Sequence, residues 1–330
     1  MDALAFPVPG EPTVDDVVAA LEVVRATQRD LLIGLGGGSA LDAAKAVAVL
    51  ATNPGEPLDY LEVIGRGQPL KQPALPCVAV PTTAGTGAEV TRNAVLSSPA
   101  HRVKVSLRSL FLLPRLALVD PVLTHDLPPD VTARTGLDAL TQLIEPYLSI
   151  RANPVTDALC RDGLNRVARA LQRAFENGSD ADAREGMAAA SLFGGIALAN
   201  AGLGAVHGFA APIGGMFKAP HGAICAALLP AVMDINLRAL QSRQPDAETI
   251  PRFQAVARLL TGSARAESAD GIRWVAELCA TLRVPPLGAY GITPADFGAI
   301  VEKAEKASSM KANPITLNRE ELTECLERAV

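Results

Sequence analysis

Three consecutive glycines separate two apolar segments, and this arrangement limits the folds available to the chain. Residues 30–35 form an apolar run of strand length, and residues 40–51 repeat apolar side chains at helical spacing. The loop between them consists of Gly36, Gly37, Gly38 and Ser39. A strand, a glycine loop and a helix in this order are typical of an open α/β sheet, where the free N–H groups at the start of the helix stabilise a bound phosphate. A simple tight turn would also use these glycines.

A second loop of related composition follows the next predicted strand. Residues 76–80 are an apolar run, and residues 81–91, PTTAGTGAEVT, are rich in glycine and hydroxyl groups. An open α/β sheet binds nucleotides at the carboxyl ends of its strands. The two loops therefore predict a nucleotide site, although another phosphorylated ligand would suit them equally well.

The other N-terminal segments complete a predicted α/β domain over residues 1–127. Residues 13–27 start with a capping threonine and have helical periodicity. Residues 94–97 and 103–107 predict a short hairpin, and residues 116–121 predict the last strand of the domain.

Helix follows helix after residue 127. Eight segments have apolar residues at helical spacing, and Gly178 and Gly262 are stop signals behind two of them. The segments are residues 130–150, 154–177, 181–201, 221–237, 247–260, 268–282, 294–310 and 319–330. Residues 128–330 are therefore predicted to form an all-helical second domain.

Two of the four histidines lie in one apolar stretch, residues 204–225. His207 and His221 are each followed by glycine. Burying an imidazole costs free energy unless its nitrogens find partners, which are either backbone carbonyls or a metal ion. On the first helix of the second domain, Asp138 and Gln142 share one face because they are four residues apart. A buried carboxylate there requires a cation, which favours the metal.

Composition and charge exclude several classes of function. The 330 residues are 49% hydrophobic and have a net charge of −5 with no basic stripe, which excludes a nucleic-acid surface. The five cysteines are scattered, odd in number and without CxxC spacing, as in reduced cytoplasmic proteins. The first residues lack a signal-peptide pattern, and no apolar run approaches the length of a membrane span. We expect a cytoplasmic protein that binds neither nucleic acid nor a membrane.

Four motifs together resemble the iron-containing, or group III, alcohol dehydrogenases. They are GGGSALDAAK from Gly36, PTTAGTGAEVT from Pro81, TGLDALTQLIE from Thr135, and His207-Gly with APHG around His221. The resemblance implies an α/β dinucleotide-binding domain and an all-helical domain with the active site in the cleft between them. It also implies hydride transfer between a small alcohol or its aldehyde or ketone and NAD or NADP, with a divalent ion, commonly iron and sometimes zinc.

The resemblance also implies roles for individual residues. Asp138, His207 and His221 fall on the catalytic metal ligands, and Gln142 falls on the position of the remaining ligand. The implied cofactor contacts are Gly36, Gly37, Gly38, Ser39, Asp42, Thr82, Thr83, Thr86, Asn93 and Lys104.

The chain departs from the family pattern in three places. Gln142 replaces a histidine ligand, and an amide oxygen is a poorer partner for iron or zinc than an imidazole nitrogen. Ala211 stands where many members have a further histidine, discussed as a proton relay. The family's first strand and helix are missing ahead of the matched region, for which we favour a wrongly assigned start codon or a trimmed sequence. If the start is genuine, it leaves an exposed strand edge, which predicts a homodimer.

Two alternatives from other classes remain open. A metal-dependent lyase of the dehydroquinate synthase kind has a similar architecture and also uses NAD and zinc. The substitution at Gln142 would also suit a catalytically impaired remnant of the family. Glu145, one turn beyond Gln142, could orient a ligand or cap a neighbouring group, and the predicted site does not include it.

Overall fold

A computed structural model describes residues 3–101 and 103–330. Contacts divide these residues into two compact units. The first ends at Asp120 and lacks the loop Ala84–Gly87, which belongs with Pro121–Val330 in the second. The division differs from the predicted boundary at residues 127/128, because the 3-10 helix Pro121–Thr124 already packs on helical elements of the second unit.

The first unit is an α/β structure, as predicted. Its elements are α1 (Val14–Ala26), β1 (Leu32–Gly36), α2 (Gly38–Thr52), α3 (Pro57–Tyr60), β2 (Cys77–Pro81), β3 (Asn93–Ser98), β4 (Val103–Arg108) and β5 (Leu116–Ala117). Strands β1, β2 and β5 form a parallel sheet in that order, while β3 and β4 form the predicted antiparallel hairpin. The register pairs Gly36 with Pro81, so both glycine loops leave the same edge of the sheet.

One face of strand β1 is covered and the other is open. Gly34 faces α2, where an added methyl group would lie 2.9 Å from the Ala44 Cβ atom. Because side chains alternate along a strand, Ile33 and Leu35 point the other way and are 59% and 61% exposed. Among the described residues β1 is also an edge strand. The first unit therefore presents an apolar strand face to its surroundings.

The open face predicts opposite outcomes for two leucine substitutions. Leu35→Lys should change the free energy of unfolding of a single protomer by less than about 0.5 kcal/mol, because within the protomer the side chain is already in solvent. Leu96→Ala, in the fully buried core of the same unit, should cost about 2–5 kcal/mol. Urea unfolding of both variants measures the difference. A large loss for Leu35→Lys that persists at protein concentrations where the chain is monomeric would contradict this prediction.

The second unit is helical. Its helices are α4 (Pro129–Leu148), α5 (Pro154–Glu176), α6 (Ala181–Ala201), α7 (Ala205–Met216), α8 (His221–Arg243), α9 (Thr249–Thr261), α10 (Ser268–Thr281), α11 (Phe297–Glu305) and α12 (Arg319–Glu327). Helix α4 packs against α5, α6, α8 and α9, and its side chains are buried from Gly136 to its end. The unit is thus organised around α4.

Two helix predictions differ from the structure. Helix α7 was not predicted, since its Gly208, Gly214, Gly215 and Pro212 lower helix propensity, but burial stabilises it. The helix predicted over 294–310 is wrong as a single element, because α11 covers only its middle and 3-10 turns lie on either side.

Helix α8 is long and apolar enough to cross a membrane, which the sequence analysis did not recognise. The broken pair α6 and α7, bent by 99°, passes the same test if counted as one span. Of the apolar window in α8, 78% is buried inside the protein. Such burial is also found in the core helices of proteins without a membrane span.

Candidate functional site

Four side chains from three helices of the second unit converge on one point. Asp138 comes from α4, His207 from α7, and His221 and Cys225 from α8. One oxygen, two nitrogen atoms and one sulfur atom from these residues all lie within 4.8 Å of one another. Two predicted histidines and the predicted aspartate are therefore brought together, and a cysteine that the sequence analysis did not select lies with them.

The distances within this cluster are those of groups that share a common partner. The Asp138 Oδ1 atom lies 3.3 Å from His207 Nε2 and 3.7 Å from His221 Nε2. The Cys225 Sγ atom lies 3.9 Å from the first of these nitrogens and 3.7 Å from the second. Asp138 Oδ1 is buried and has no hydrogen-bond partner among the described residues. A cation between these atoms would satisfy it.

His207 lies in the first turn of α7, and side chains from distant parts of the second unit hold that turn. The backbone N–H groups of Ala205 and Val206 donate to Asn313 Oδ1 at 3.0 Å and Glu145 Oε1 at 2.7 Å. Gly204 precedes the helix, and an added methyl group there would lie within 3 Å of both acceptors. These contacts satisfy N–H groups that a helix start leaves without intrahelical partners.

Glu145 also fixes the orientation of the His207 ring. Its Oε2 atom lies 2.6 Å from His207 Nδ1, which donates to the carboxylate, so the Nε2 atom faces Asp138 and Cys225. A carboxylate behind the imidazole of a metal ligand fixes its tautomer and raises its basicity. Glu145, which the predicted site did not include, therefore belongs to it.

Burial and the close charges shift the pKa values of the cluster in characteristic directions. Burial by itself lowers the pKa of His207, but the Cys225 and Glu145 charges outweigh it and raise that pKa well above 6.5. Burial by itself also lowers the pKa of His221, but the charges of Cys225 and Asp138 outweigh it and raise that pKa. Burial raises the pKa of Asp138 and of the Cys225 thiol, but the two imidazoles outweigh it and lower both. The site thus favours an ionised Asp138 and Cys225 beside protonated imidazoles. A bound cation would take the place of the protons on the imidazoles.

Gln142 lies beside the cluster on the buried face of α4. Its side chain hydrogen-bonds to the Asp138 carboxylate, so the amide group donates to it. The Gln142 Oε1 atom is buried without a hydrogen-bond partner among the residues described. The structure therefore places Gln142 next to Asp138, as the shared helix face predicted.

Gly222 allows α8 to begin close to α4. An added methyl group would lie 2.2 Å from the Arg134 carbonyl oxygen. We expect Gly222→Ala to cost about 1–3 kcal/mol of stability and to lower activity by displacing His221. Gly298→Ala on α11 is the matched control, because a methyl group there meets nothing within 4 Å. Equal thermal stability and turnover of the two variants would contradict this prediction.

The glycine loop of the first unit has the backbone of a phosphate cradle. Gly36 has φ +148°, a conformation that L side chains rarely adopt, and α2 begins at Gly38 behind the N-cap Gly37. Thr82 in the second loop donates its N–H to the Gly36 carbonyl at 2.9 Å, and a methyl group added at Gly37 would lie 3.4 Å from the Thr83 side chain. The two loops are adjacent, and the start of α2, with Ser39 in its first turn, offers N–H groups to an anion.

Two other predicted cofactor contacts, Asp42 and Lys104, form ion pairs within the first unit. Asp42 accepts from the Val95 N–H at 2.9 Å and pairs with the Lys45 ammonium at 2.8 Å, which ties α2 to β3, where Asn93 is the first residue. Lys104 pairs with Glu11 at 2.5 Å. Their contacts with a nucleotide stay a prediction.

Thr86 lies on a loop that belongs to the second unit. Gly87, the next residue, has φ +58°, and an added methyl group there would lie 2.4 Å from the Gly195 Cα atom of α6. Gly85 is similarly close to Thr135 of α4. The glycines of this loop therefore permit its close packing on two helices. A cofactor contact of Thr86 also stays a prediction.

Comparisons with known proteins agree over nearly the whole chain. The family model described as "Iron-containing alcohol dehydrogenase" matches residues 3–121, and the model described as "Fe-containing alcohol dehydrogenase family, C-terminal" matches residues 132–330. Alcohol dehydrogenase 4 of Schizosaccharomyces pombe is 37% identical over 320 residues, which are 97% of this chain and 73% of the relative.

Two solved structures have the same fold. A 1,3-propanediol oxidoreductase has a TM-score of 0.90 and 36% identity, covering 98% of this chain and 83% of its own. Sulfoacetaldehyde reductase of Bifidobacterium kashiwanohense, solved in complex with NAD+, has a TM-score of 0.86 and 28% identity, with 98% and 81% coverage.

The chain combines a nucleotide-type α/β unit with a helical unit that has a histidine and carboxylate centre. This combination is that of a metal-assisted dehydrogenase, and the family models and relatives identify the family. The chain belongs to the iron-containing alcohol dehydrogenase family. It is an oxidoreductase acting on CH–OH groups. The matched relatives are dehydrogenases and reductases, which favours this activity over that of a lyase.

Proposed function

We propose that the protein interconverts a small alcohol and its aldehyde or ketone at a divalent metal centre that includes Asp138, His207 and His221. The observation that carries this proposal is the convergence of their ligand atoms within 4.8 Å of one another, around a buried carboxylate oxygen that lacks a partner among the described residues. The ion, when bound, would polarise the substrate oxygen as a Lewis acid, and the nicotinamide would exchange the hydride.

The residues of the centre have distinct roles in this proposal. Asp138 supplies a buried negative charge from the rigid helix α4. Glu145 holds the proton on His207 Nδ1 and leaves the Nε2 lone pair free to bind a cation. The His221 side chain is 37% exposed, whereas those of Asp138 and His207 are buried. The substrate oxygen is expected to approach from the His221 side.

The glycine loops are proposed to bind the pyrophosphate of the cofactor. Gly36, Gly37, Gly38 and Ser39 provide a side-chain-free approach and the N-terminus of α2. The NAD+ complex of the Bifidobacterium relative supports a nicotinamide dinucleotide. We propose NAD or NADP without distinction between the two.

A metal-dependence assay tests the function. The purified protein is treated with a chelator, divided, and reloaded with zinc or with iron under anaerobic conditions. Each sample is then assayed with NAD and NADP against a panel of short alcohols, and with NADH and NADPH against the aldehydes. We expect turnover only in the reloaded samples. Equal turnover in the chelated protein would refute the metal-assisted function, and no turnover in any sample would favour the impaired remnant.

Metal affinity should fall as the pH is lowered, and the fall should already begin above pH 6.5. The pKa values of His207 and His221 lie above 6.5 in the metal-free protein, so protons occupy their nitrogens below those pKa values and compete with the ion. Zinc competition titrations between about pH 6 and about pH 8.5 measure this dependence across the range where imidazoles titrate. A constant zinc affinity above pH 6.5 would contradict the raised pKa values.

We further propose that the protein is cytoplasmic and forms a homodimer. All five cysteines are free thiols, as in a reducing compartment. The exposed Ile33 and Leu35 on the edge strand β1 provide an apolar surface that a second copy could cover. Cell fractionation tests the first proposal. Sedimentation of the wild type beside Leu35→Lys tests the second, and a monomeric wild type would refute it.

A further inference from the structure

Cys225 has no role in the function proposed so far, yet it lies inside the site. Its Sγ atom is within 3.9 Å of both imidazole Nε2 atoms, and the side chain is fully buried. We propose that Cys225, rather than Gln142, is the fourth protein ligand of the metal ion. This assignment rests on the proposed metal-assisted function and specifies the donor set of that site.

The shape of the cluster fits one ion with four protein donors. Metal bonds of about 2.0–2.3 Å to oxygen, nitrogen and sulfur give tetrahedral edges of about 3.3–3.8 Å, since an edge is about 1.6 times the bond length. The four measured edges, which join Asp138, His207, His221 and Cys225, are 3.3, 3.7, 3.9 and 3.7 Å. The other two pairs of ligand atoms also lie within 4.8 Å of each other, so the spacing of the four donors is compatible with one shared ion.

The helical spacing explains how Cys225 reaches the ion. His221 and Cys225 are four residues apart on α8, so they project from one face of one helix. Two ligands at this spacing can hold one ion without strain in the backbone, as in the i, i+4 histidine pairs of zinc sites. Asp138 and His207 approach the same face from α4 and α7. The ligand set thus combines one helical pair with two single ligands.

Gln142 contributes to the site through Asp138 and does not bind the ion. Its amide donates to the Asp138 carboxylate, which orients that carboxylate toward the centre. A neutral amide oxygen is a weak donor for zinc or iron beside a thiolate and two imidazoles. Gln142 is therefore a positioning residue. A thiolate in the donor set also favours zinc and cobalt over iron, which makes these two ions suitable probes.

Cobalt(II) spectroscopy on the full chain tests the assignment directly. A thiolate bound to cobalt gives an intense near-ultraviolet charge-transfer band that oxygen and nitrogen donors do not give. The variants are Cys225→Ala, Gln142→Ala and Cys325→Ala, the last being a matched control because Cys325 is also fully buried in the same unit. Zinc affinity is measured on the same proteins by competition with a chromogenic chelator, and thermal unfolding checks that each variant is folded.

We expect the band in the wild type, Gln142→Ala and Cys325→Ala, and its loss in Cys225→Ala. Zinc affinity should fall about 100-fold or more in Cys225→Ala, since even an outer partner of a ligand typically contributes 10–100-fold. Gln142→Ala should lose less. Adding Gln142→His to Cys225→Ala should restore binding without restoring the band.

The outcomes separate this assignment from the proposed function. Stoichiometric cobalt without a thiolate band in the wild type, or a larger loss of zinc affinity in Gln142→Ala than in Cys225→Ala, would overturn the role of Cys225 and leave a metal-assisted enzyme. Absence of any stoichiometric cobalt or zinc in the folded wild type would overturn both.

Discussion

His207→Ala is expected to lower turnover by about 1,000-fold or more while cofactor binding persists. The substitution removes a proposed metal ligand and leaves Glu145 without its buried partner. Lewis-acid polarisation contributes several kcal/mol to such reactions, and each 1.4 kcal/mol corresponds to about tenfold in rate. Cofactor binding should persist because the glycine loop and the start of α2 belong to the first unit, whereas His207 belongs to the second.

Steady-state kinetics and calorimetric titration with NAD check this prediction. His101→Ala is the control, since His101 lies on a 3-10 helix of the first unit and is exposed. Its turnover should match that of the wild type. If NAD binding were lost in His207→Ala while the protein stayed folded, the assignment of the cofactor and metal groups to separate units would be wrong.

Glu145→Ala is expected to lower the free energy of unfolding of the metal-free protein by about 3–5 kcal/mol, as for a buried pair that loses one partner. The carboxylate accepts from His207 Nδ1 and from the Val206 N–H, and all three residues are buried. Without it, both donors remain in the core without an acceptor. The same change should weaken zinc binding about 10- to 100-fold, because the His207 ring loses its orientation.

Glu145→Gln separates the two contributions. The amide oxygen can still accept from the Val206 N–H, so most of the stability should be retained, but the charge behind His207 is removed. Urea unfolding and zinc competition on the same samples measure both quantities. A Glu145→Gln protein with wild-type zinc affinity would show that the carboxylate only caps α7 and does not tune the imidazole.

The parallel sheet and its two loops could be predicted because their signals are local. The first glycine loop directly follows the apolar residues 30–35. The second loop likewise follows an apolar strand, Cys77–Pro81. Helix α7 could not be predicted, because its glycines and Pro212 disfavour a helix in isolation. Its packing against α8, α11 and neighbouring residues stabilises it in the folded chain. The prediction of His207 as a ligand thus preceded any prediction of the helix that holds it.

Cys225 and Glu145 show the same limit at the site. The spacing of His221 and Cys225 was visible in the sequence, but i, i+4 pairs are common on core helices and a scattered cysteine is more often an inert thiol. Glu145 was noted as a possible partner of a ligand, but nothing in its neighbours indicated which group it would reach. Their roles depend on contacts between residues 18 and 62 positions apart in the chain.

The two-part organisation, the nucleotide-type loops and three members of the candidate metal cluster could be predicted from the sequence, because periodicity, glycine loops and rare histidines are properties of short segments. The folded chain was needed to show that Cys225 joins Asp138, His207 and His221, and that Glu145 holds the ring of His207. A metal site requires donor atoms a few ångströms apart. Such distances arise from the packing of α4, α7 and α8, and spacing along the chain does not encode them.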